Sequence, residues 1–354
     1  MSKAPRISAV IPCRDEALRI EACVRSVLAQ EDVSDLEVIV LDGLSTDGTS
    51  AILDRLRAED SRLRVIPNPL VTTPAAMNLG IKAATGTYVA IMGAHNRYAP
   101  DYLARCLEIA QATKADNVGG VVIAEPDTYI ERAIAAAHHS PLSAGGSRWH
   151  SVSYEGLTPS VWGGFYLRRM FEEIGGFDEA LIRNQDDELN LRLIDAGGTI
   201  WQSPRIRSWY RPRSSLVGLF RQYLQYGYWK VHVIRKHRAI SSPRHIIPPL
   251  FVVSLSIASL VSGWRMLEAG RHGTAAAHPW LRATMPLTII GIPYTAVTGI
   301  ASIGTARTYG WDLFPILPAT FTCFHIGYGA GFVMGVGNVL MRRPTPNAMS
   351  RLTR

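Results

Sequence analysis

The sequence has few cysteines, and none lies in a spacing typical of a metal site or a redox pair. The four cysteines, Cys13, Cys23, Cys106 and Cys323, form no CxxC motif, which disfavours a zinc finger and indicates reduced, mostly buried thiols. The GxGxxG and GxxxxGKS patterns of dinucleotide-binding and P-loop proteins are also absent. Any phosphate-binding site in this chain must therefore be built in another way.

Acidic side chains are in the minority, which limits the choice of partner. The chain has 37 Lys and Arg against 29 Asp and Glu, for a formal net charge of +8. Such an excess is typical of proteins that bind nucleic acid or the anionic face of a membrane. The basic residues crowd between Arg205 and Arg244, directly before the first long apolar segment, and this location favours the membrane. Because zinc-finger spacings and RNA-binding aromatic motifs are missing, we expect no nucleic-acid partner.

Long apolar runs are missing until the C-terminal part of the chain, where three stretches carry almost no charge: Ile246–Trp264, Met285–Ile303 and Leu313–Leu340. Each approaches or exceeds the roughly 20 residues that cross a hydrocarbon core, and none shows the polar face of a soluble core helix. We therefore predict two or three membrane spans. Three spans would place the basic tail outside, against the positive-inside tendency, whereas a re-entrant pair or a hairpin interrupted at Pro248–Pro249 would return it to the cytoplasm.

Strands and helices alternate from Arg6 to about Ala124, and no signal peptide precedes them, so we expect this part of the protein to be cytoplasmic. The predicted strands are Ile7–Pro12, Glu37–Leu41, Arg64–Pro67, Tyr88–Gly93 and Asn117–Val122. The predicted helices are Glu16–Gln30, Thr49–Ala58, Thr73–Ala84 and Pro100–Ala112. This alternation predicts an α/β fold with a mainly parallel sheet and helices on both of its faces.

The stretch EVIVLDGLSTDGT, from Glu37 to Thr49, joins a buried strand to a helix through a polar turn. Its apolar, β-branched run is typical of a strand covered on both faces. Asp42 ends that strand at the sheet edge where open α/β folds bind their ligands, and there it is expected to accept hydrogen bonds from a base or a ribose. Asp47 either caps the following helix or reaches the same ligand.

A second strand ends in a similar cluster, because ISAVIPCRDE places Pro12, Arg14 and Glu16 at or just beyond its end. Together with DGLSTDGT and with Asn78 in AAMNLG, this motif resembles the nucleotide-sugar half of inverting family-2 glycosyltransferases. More narrowly, the chain is similar to the succinoglycan-type glucosyltransferases from about Ile7 to about Arg235, and more faintly beyond. The resemblance implies a GT-A fold and a nucleotide-sugar site, for a UDP-sugar, formed by Pro12, Arg14, Glu16, Asp42, Asp47 and Asn78.

The metal motif of that family is altered in this chain. Where the resemblance implies Asp-x-Asp, or Asp-Ala-His in the succinoglycan-type group, the sequence has Gly93, Ala94 and His95. The last position of the motif ligates a divalent metal that bridges the donor diphosphate, so His95 is the expected ligand of Mn²⁺ or Mg²⁺. An imidazole suits softer ions better than a carboxylate does, and Gly93 removes one acceptor for the ribose. The alternatives are weak metal binding, another preferred metal, an inactive protein, or a merely structural histidine.

A further family signature matches IGGFDEALIRNQDDELNLRLIDAGG and usually reads Glu-Asp before a helix. Here that pair is Gln185 and Asp186, at the start of a helix predicted over Asp187–Ala196. Inverting transfer needs a carboxylate that takes the proton from the attacking hydroxyl, so the resemblance makes Asp186 the catalytic base. The alternative is that Asp186 and Asp187 only cap the helix and favour its positive end.

Two more segments are expected near the acceptor and the diphosphate. Trp162, Gly163 and Gly164 resemble the family strand that lies beneath the acceptor. After a strand predicted over Thr199–Pro204, Arg211 and Arg213 flank a proline, and guanidinium groups are well suited to holding a diphosphate.

The segment Leu216–Trp229 predicts an amphipathic helix in the membrane interface, because apolar and basic residues alternate along it. The positions that match a family motif near the acceptor are Gln222, Trp229 and Lys230. A basic helix that serves only as an anchor is the alternative for each of them.

The chain is thus predicted to have four parts: a cytoplasmic GT-A catalytic domain (1–213), amphipathic interfacial helices (214–245), a hydrophobic membrane domain (246–341) and a basic tail (342–354). The resemblance implies that the protein transfers a sugar to a polyprenyl-diphosphate-linked saccharide in cell-surface polysaccharide synthesis, and we expect a multi-pass protein of the inner membrane. Gly93 and Gln185 motivate an alternative, a non-catalytic partner in a polysaccharide assembly complex. A sugar nucleotidyltransferase is disfavoured because its Gly- and Arg-rich N-terminal signature is missing.

Overall fold

The computed structural model describes residues 6–144, 151–240, 242–272 and 279–350, so the last four residues of the predicted basic tail lie outside it. The chain divides into two units, Met1–Glu125 with Ser147–Arg211 and Pro126–Gly146 with Pro212–Arg354. The segment Pro126–Gly146, which the sequence places inside the catalytic domain, therefore groups with the C-terminal unit.

The first unit is built on one mixed sheet. Its strands are β1 (Ile7–Cys13), β2 (Leu36–Asp42), β3 (Leu63–Pro67), β4 (Tyr88–Ile91), β5 (Asn96–Tyr98), β6 (Asn117–Ala124), β7 (Gly156–Leu157), β8 (Trp162–Leu167) and β9 (Ile200–Tyr210). Their order across the sheet is β3-β2-β1-β4-β8-β6-β9-β5, with β7 paired to β9. The first four strands in this order are parallel to one another, as the sequence predicts.

In the described part of the chain, helices and strands are interspersed up to β9, and only helices follow it. The α-helices are α1 (Ile20–Leu28), α2 (Thr49–Glu59), α3 (Thr73–Ala83), α4 (Tyr102–Thr113), α5 (Tyr129–His138), α6 (Pro141–Ala144), α7 (Arg169–Ile174), α8 (Gln185–Asp195), α9 (Leu216–His237), α10 (Ile247–His272), α11 (Pro279–Tyr309), α12 (Leu317–Leu340) and α13 (Asn347–Ser350). Helices α5, α6 and α9 to α13 belong to the second unit.

Alternate residues of the central strands supply a core on each face of the sheet. β1 and β2 are buried almost throughout, as expected for strands rich in Val and Ile. Ile7 and Ile11 pack on one face with α1, α2 and α4. Val10 and Ile39 pack on the other face with α3, α7 and α8. The predicted covering of both faces by helices is confirmed.

Six of the strands run in one direction, so their carboxyl ends share one edge of the sheet, here called the carboxyl edge. β8 is antiparallel to both β4 and β6, and β9 is parallel to β6, so β6 and β9 run with β1. Asp42 and Tyr210 end strands at this edge. The antiparallel strands β8 and β5 begin there, with Trp162 and Asn96.

Three helices of the second unit are long and apolar enough to cross a membrane: Pro243–Arg271, Trp280–Tyr309 and Leu317–Leu340. This confirms the three predicted apolar helices. Pro248 and Pro249 lie in the first turn of α10, where proline is tolerated, so they do not interrupt the helix. Two other prolines, Pro286 and Pro293, lie inside α11.

Helix α12 contacts α9 through glycines spaced four residues apart. A Cβ added to Gly331 would lie 1.9 Å from the carbonyl oxygen of Leu224. The contacts one turn before and one turn after are alike, at 2.9 Å and 2.8 Å, and join Gly327 to Phe220 and Gly335 to Tyr228. Because the residue numbers rise together, the two helices run parallel, at the close approach that small residues permit.

We expect Gly331→Ala to destabilise the second unit, because its added methyl group would displace the backbone of α9. Overpacking of this kind costs about 1–3 kcal/mol, which exceeds the helix-propensity gain of about 1 kcal/mol from replacing glycine. Thermal unfolding in detergent would measure the change. Gly337→Ala is the matched control, since nothing lies within 4 Å of its added Cβ, and it should leave the melting temperature unchanged or slightly raised. Equal melting temperatures for the two variants would contradict the α9–α12 packing.

Candidate active site

The end of β2 carries a carboxylate that is held by two serine hydroxyls. Asp42 lies opposite Cys13 in the parallel pairing of β1 and β2 and is 8% exposed. Its Oδ1 accepts hydrogen bonds from the amide and hydroxyl of Ser45, at 3.1 Å and 2.5 Å. Its Oδ2 accepts one from the Ser50 hydroxyl at 2.6 Å, so Oδ2 keeps a free lone pair.

The loops that follow β1 and β2 are cross-linked by hydrogen bonds. The amides of Asp15 and Glu16 donate to the Ser45 and Thr49 hydroxyls, at 2.8 Å and 2.7 Å. In the other direction, the Thr46 amide donates to the Asp15 carboxylate at 2.7 Å. These reciprocal bonds hold the IPCRDE and DGLSTDGT segments as one rigid rim.

Asp47 is used at the start of α2. Its Oδ1 accepts from the amide and hydroxyl of Thr49, at 3.1 Å and 2.6 Å, and its Oδ2 accepts from the Ala17 amide at 3.0 Å. Desolvation raises the pKa of the Asp47 carboxyl, but the hydrogen bonds from Thr49 and Ala17 outweigh it and hold this pKa below its ordinary value. The N-cap residue of α2 is Gly48, so Asp47 is not the N-cap itself, and it accepts the Thr49 amide from the position before the N-cap. Contact of Asp47 with a ligand stays a prediction.

Negative charge converges on this rim. Burial, and then the charges of Asp42 and Glu16, raise the pKa of the Cys13 thiol far above its ordinary value. The thiol therefore stays protonated, and it is not a nucleophile. Arg14 lies beside the rim with its side chain 47% exposed, and its Nε is 3.6 Å from Asp15 Oδ2, so its guanidinium remains accessible to an anion.

His95 joins the rim from the loop after β4. Its Nδ1 lies 3.6 Å from Glu16 Oε1, and the side chain is 48% exposed. In the described part of the chain, no three His, Cys, Asp or Glu side chains come close enough to hold a metal ion together. The protein side of this site therefore offers one imidazole and one carboxylate.

The start of β8 lies next to Gly93. A Cβ added to Gly93 would lie 3.8 Å from Cη2 of Trp162, which places the predicted acceptor strand beside the altered metal motif. Gly163 has φ +72°, a left-handed backbone that glycine adopts without strain. A Cβ at Gly164 would lie 2.3 Å from the ring of Tyr166, so this strand needs glycine there.

Asp186 is the second residue of α8 and lies close to Tyr166. It is exposed in the first turn of that helix. Burial, and then the Asp186 charge, raise the pKa of the Tyr166 hydroxyl above its ordinary range. The neighbouring Gln185 keeps its Oε1 buried and without a hydrogen-bond partner among the described residues. Asp186, the predicted base, therefore lies close to β8, the strand that contains Trp162, Gly164 and Tyr166.

An ion pair that the sequence analysis missed fixes α8. Arg192 donates from Nε and Nη2 to both oxygens of the fully buried Glu188, at 2.8 Å each. It also donates to the carbonyls of Ile174 and Gly176, at 2.5 Å and 2.6 Å. The only sequence signal is the spacing of four residues between Glu and Arg, which is also typical of exposed helix surfaces.

Asn78 of α3 is hydrogen-bonded to the loop that precedes α8. Its Nδ2 donates to the Phe177 carbonyl at 2.9 Å and to Glu179 Oε1 at 2.8 Å, and its Oδ1 accepts from the Phe177 amide at 2.8 Å. These bonds give Asn78 a positioning role between α3 and the chain before α8. Its expected contact with the donor stays a prediction.

The remaining predicted residues divide between the units. Arg211, in the first unit, directly follows Tyr210, which pairs with Asn96, so it extends from the carboxyl edge.

In the second unit, Arg213 Nε donates to Gln222 Oε1 at 3.1 Å. Trp229 and Lys230 are both buried on α9, at 4% and 5% exposure. Trp229 Nε1 donates to the Met349 carbonyl at 3.0 Å.

Comparison with known proteins gives one consistent result. A model described as "Glycosyl transferase family 2" matches residues 8–175. The succinoglycan biosynthesis protein ExoA of Rhizobium meliloti (strain 1021) is 32% identical over 330 residues, which cover 91% of this chain and 92% of that protein. Hyaluronan synthase of Pasteurella multocida is 26% identical over 56% of this chain and 19% of its own length.

A solved structure supports the fold. The mannosyltransferase PcManGT from Pyrobaculum calidifontis, in complex with GDP-Man and Mn²⁺, matches with a TM-score of 0.58 at 18% identity. The match covers 97% of this chain and 89% of that one. At this identity the likeness concerns the fold.

We expect Arg192→Gln to destabilise the first unit strongly, because it leaves the Glu188 charge buried without its partner. Breaking a buried pair in this way costs about 3–5 kcal/mol, measurable by chemical unfolding. The control is Arg57→Gln, whose partner Asp54 is exposed, and which should cost about 0.5 kcal/mol or less. Similar losses in both variants would show that the Glu188 pair is not structurally important.

Proposed function

The chain belongs to glycosyltransferase family 2 and has the GT-A fold, and from that premise we propose that it moves a sugar, with inversion, from a UDP-sugar to a polyprenyl-diphosphate-linked saccharide. The product would be a cell-surface polysaccharide precursor, in keeping with the succinoglycan biosynthesis protein that it resembles over most of its length. The observation that carries the proposal is the convergence of Asp42, His95 and Trp162 at the carboxyl edge. Open α/β sheets bind their ligands at this edge.

The donor nucleotide is assigned to the rim formed by the two cross-linked loops. Asp42 has an acceptor site left on Oδ2 for a base or ribose group. Arg14 and Arg211 are exposed and supply positive charge for a diphosphate. Because the loops are tied to each other before the ligand arrives, little ordering remains to oppose binding.

The residues present fit a divalent metal at His95. The Nδ1 of His95 and the Oε1 of Glu16 are 3.6 Å apart, a spacing that suits two ligands each about 2.1 Å from one ion. Donor diphosphate oxygens would complete the coordination. Bound there, the metal would offset the charge that develops on the leaving diphosphate. PcManGT was crystallised with Mn²⁺, which makes this ion the first to test.

Asp186 is assigned as the general base. Its exposure at the start of α8 leaves the carboxylate accessible to an acceptor hydroxyl, and the positive end of the helix favours its ionised form. It would take the proton from that hydroxyl as the anomeric carbon is attacked. Glu188 and Arg192 hold the helix, and so Asp186, in place.

We propose further that α10 and α11 cross the membrane as a hairpin and that α12 does not. The exposed large apolar side chains cluster on α10 and α11, among them Ile257, Leu260, Trp264, Ile289, Ile292 and Ile300. A larger share of α12 is buried by protein, 28% against 17% and 11%.

The contacts of α12 support this arrangement. Near its start, Arg132 of α5 pairs with Asp312 at 2.9 Å. Along its length it packs against α9, which ends in basic residues. Beyond its end, Gln225 of α9 donates to the Ala348 carbonyl at 2.9 Å. Charged groups thus lie near both ends of α12 and α9 covers its middle, so less of its surface is left for lipid than on α10 or α11.

We expect Asp186→Asn to lower sugar transfer by about 10²–10⁴-fold, since the amide cannot accept the proton. Membranes containing the variant would be given radiolabelled UDP-sugars, and label in extracted lipid would be counted. Donor affinity should stay unchanged. Asp187→Asn is the matched control and should transfer sugar at nearly the wild-type rate. Full activity in Asp186→Asn would end the assignment of the base.

The same preparation separates an enzyme from a non-catalytic partner, the alternative that Gly93 and Gln185 motivate. For the enzyme, titration with Mn²⁺ should raise UDP-sugar affinity and His95→Ala should abolish that increase. A partner that has lost catalysis would show neither the metal dependence nor transfer in the wild type.

We expect the C-terminus to lie on the cytoplasmic side, because two spans return the chain to the side of its N-terminal unit. A green fluorescent protein fused after Arg354 should fluoresce, and an alkaline phosphatase fused there should be inactive. Phosphatase fused after Arg271, at the end of α10, should be active as the control. Active phosphatase after Arg354 would instead support three spans.

A further inference from the structure

Asn96 is a buried side chain whose polar atoms are left unused by the described part of the chain. The residue is 3% exposed. Neither its Oδ1 nor its Nδ2 has a hydrogen-bond partner among the described residues. Leaving a buried amide unpaired costs stability, and native structures rarely do so without a reason. An incoming ligand that pairs with this group would recover that loss.

The position of Asn96 relates it to the donor site. It is the first residue of β5, at the carboxyl edge, directly after His95 and paired with Tyr210. A Cβ added to Gly93 would lie 3.0 Å from Asn96 Oδ1. The amide thus lies against the Cα where this chain has no side chain, and a larger residue at position 93 would compete with it for space.

The chemistry of an amide limits the classes of ligand that can pair with Asn96. It offers an acceptor oxygen and two N–H donors and carries no charge. A cation could bind the amide oxygen but would leave both N–H donors unpaired. Phosphates favour cationic donors and would leave the amide oxygen unpaired. Two neighbouring hydroxyls both donate and accept, and such a pair matches an amide.

We propose that Asn96 binds the ribose hydroxyls of the donor nucleotide, next to the space left by glycine at position 93. The inference rests on the proposed function, because it adds a residue to the same donor site. It also gives a reason for glycine at position 93. A side chain there would crowd the Asn96 amide, which would bind the ribose without adding charge.

The test compares nucleotide affinities of the purified wild-type chain and Asn96→Leu, a substitution of similar shape without polar atoms. Calorimetry with Mn²⁺ present would use UDP and GDP and their 2′-deoxy and 3′-deoxy counterparts. In the wild type, removing a hydroxyl that bonds Asn96 should weaken binding about tenfold. In Asn96→Leu, the ribonucleotide should already be about tenfold weaker, and removing that hydroxyl should weaken it no further. The ligand-free variant should melt at a higher temperature, since it has no unpaired amide.

Gly93→Ala provides a second variant, because its methyl group would displace the amide while keeping Asn96 itself, and it should show the same loss of discrimination. Equal sensitivity to the missing hydroxyl in wild type and variants would overturn the inference and leave the donor site intact. Affinity lost for UDP-glucose but kept for UDP would also overturn it, since the partner would then be the sugar. If neither UDP nor GDP binds the wild type, the proposed function fails as well.

Discussion

Parallel pairing of β1 with β2 and β4 is the constraint on which the site depends. Parallel strands end together, so Cys13 and Asp42 lie side by side and the loop with Gly93 and His95 follows at the same edge. The antiparallel strands β8 and β5 add Trp162 and Asn96 there, because they start where the others end. Strand pairing thus brings segments from distant parts of the sequence together, and the hydrogen bonds between the loops after β1 and β2 then hold them there.

Rigidity at this edge comes from small hydroxyl side chains more than from charges. Ser45, Thr49 and Ser50 hold the carboxylates of Asp42 and Asp47 and tie the two loops together. A carboxylate held by neutral donors keeps its negative charge, whereas an ion pair would neutralise it. The rim is therefore ordered and still electronegative, and that combination suits a site for a cation and a polyhydroxylated nucleotide.

The parallel half of the fold and the rim could be predicted from sequence, because buried β-branched runs and polar turns are local signals. Such signals mark Asp42 at the end of its strand, whereas Glu16 and His95 are singled out only by the resemblance to the glycosyltransferase family. The rest depends on non-local pairing. β9 continues past Pro204 to Tyr210 because β6 and β5 supply partners for it. The burial of Asn96 against Gly93 is likewise visible only in the structure. The glycines of α12 are evident in the sequence, but only the structure identifies α9 as the helix that they contact.

The register between α9 and α12 restricts how this protein can diverge. Gly327, Gly331 and Gly335 meet backbone carbonyls of α9 at the same sequence offset, and each residue of a helix turns it by about 100°. Inserting or deleting one residue in either helix would rotate its glycines or carbonyls away from the seam. Length variation among homologues should therefore collect in connecting segments, while the two helices evolve by substitution alone.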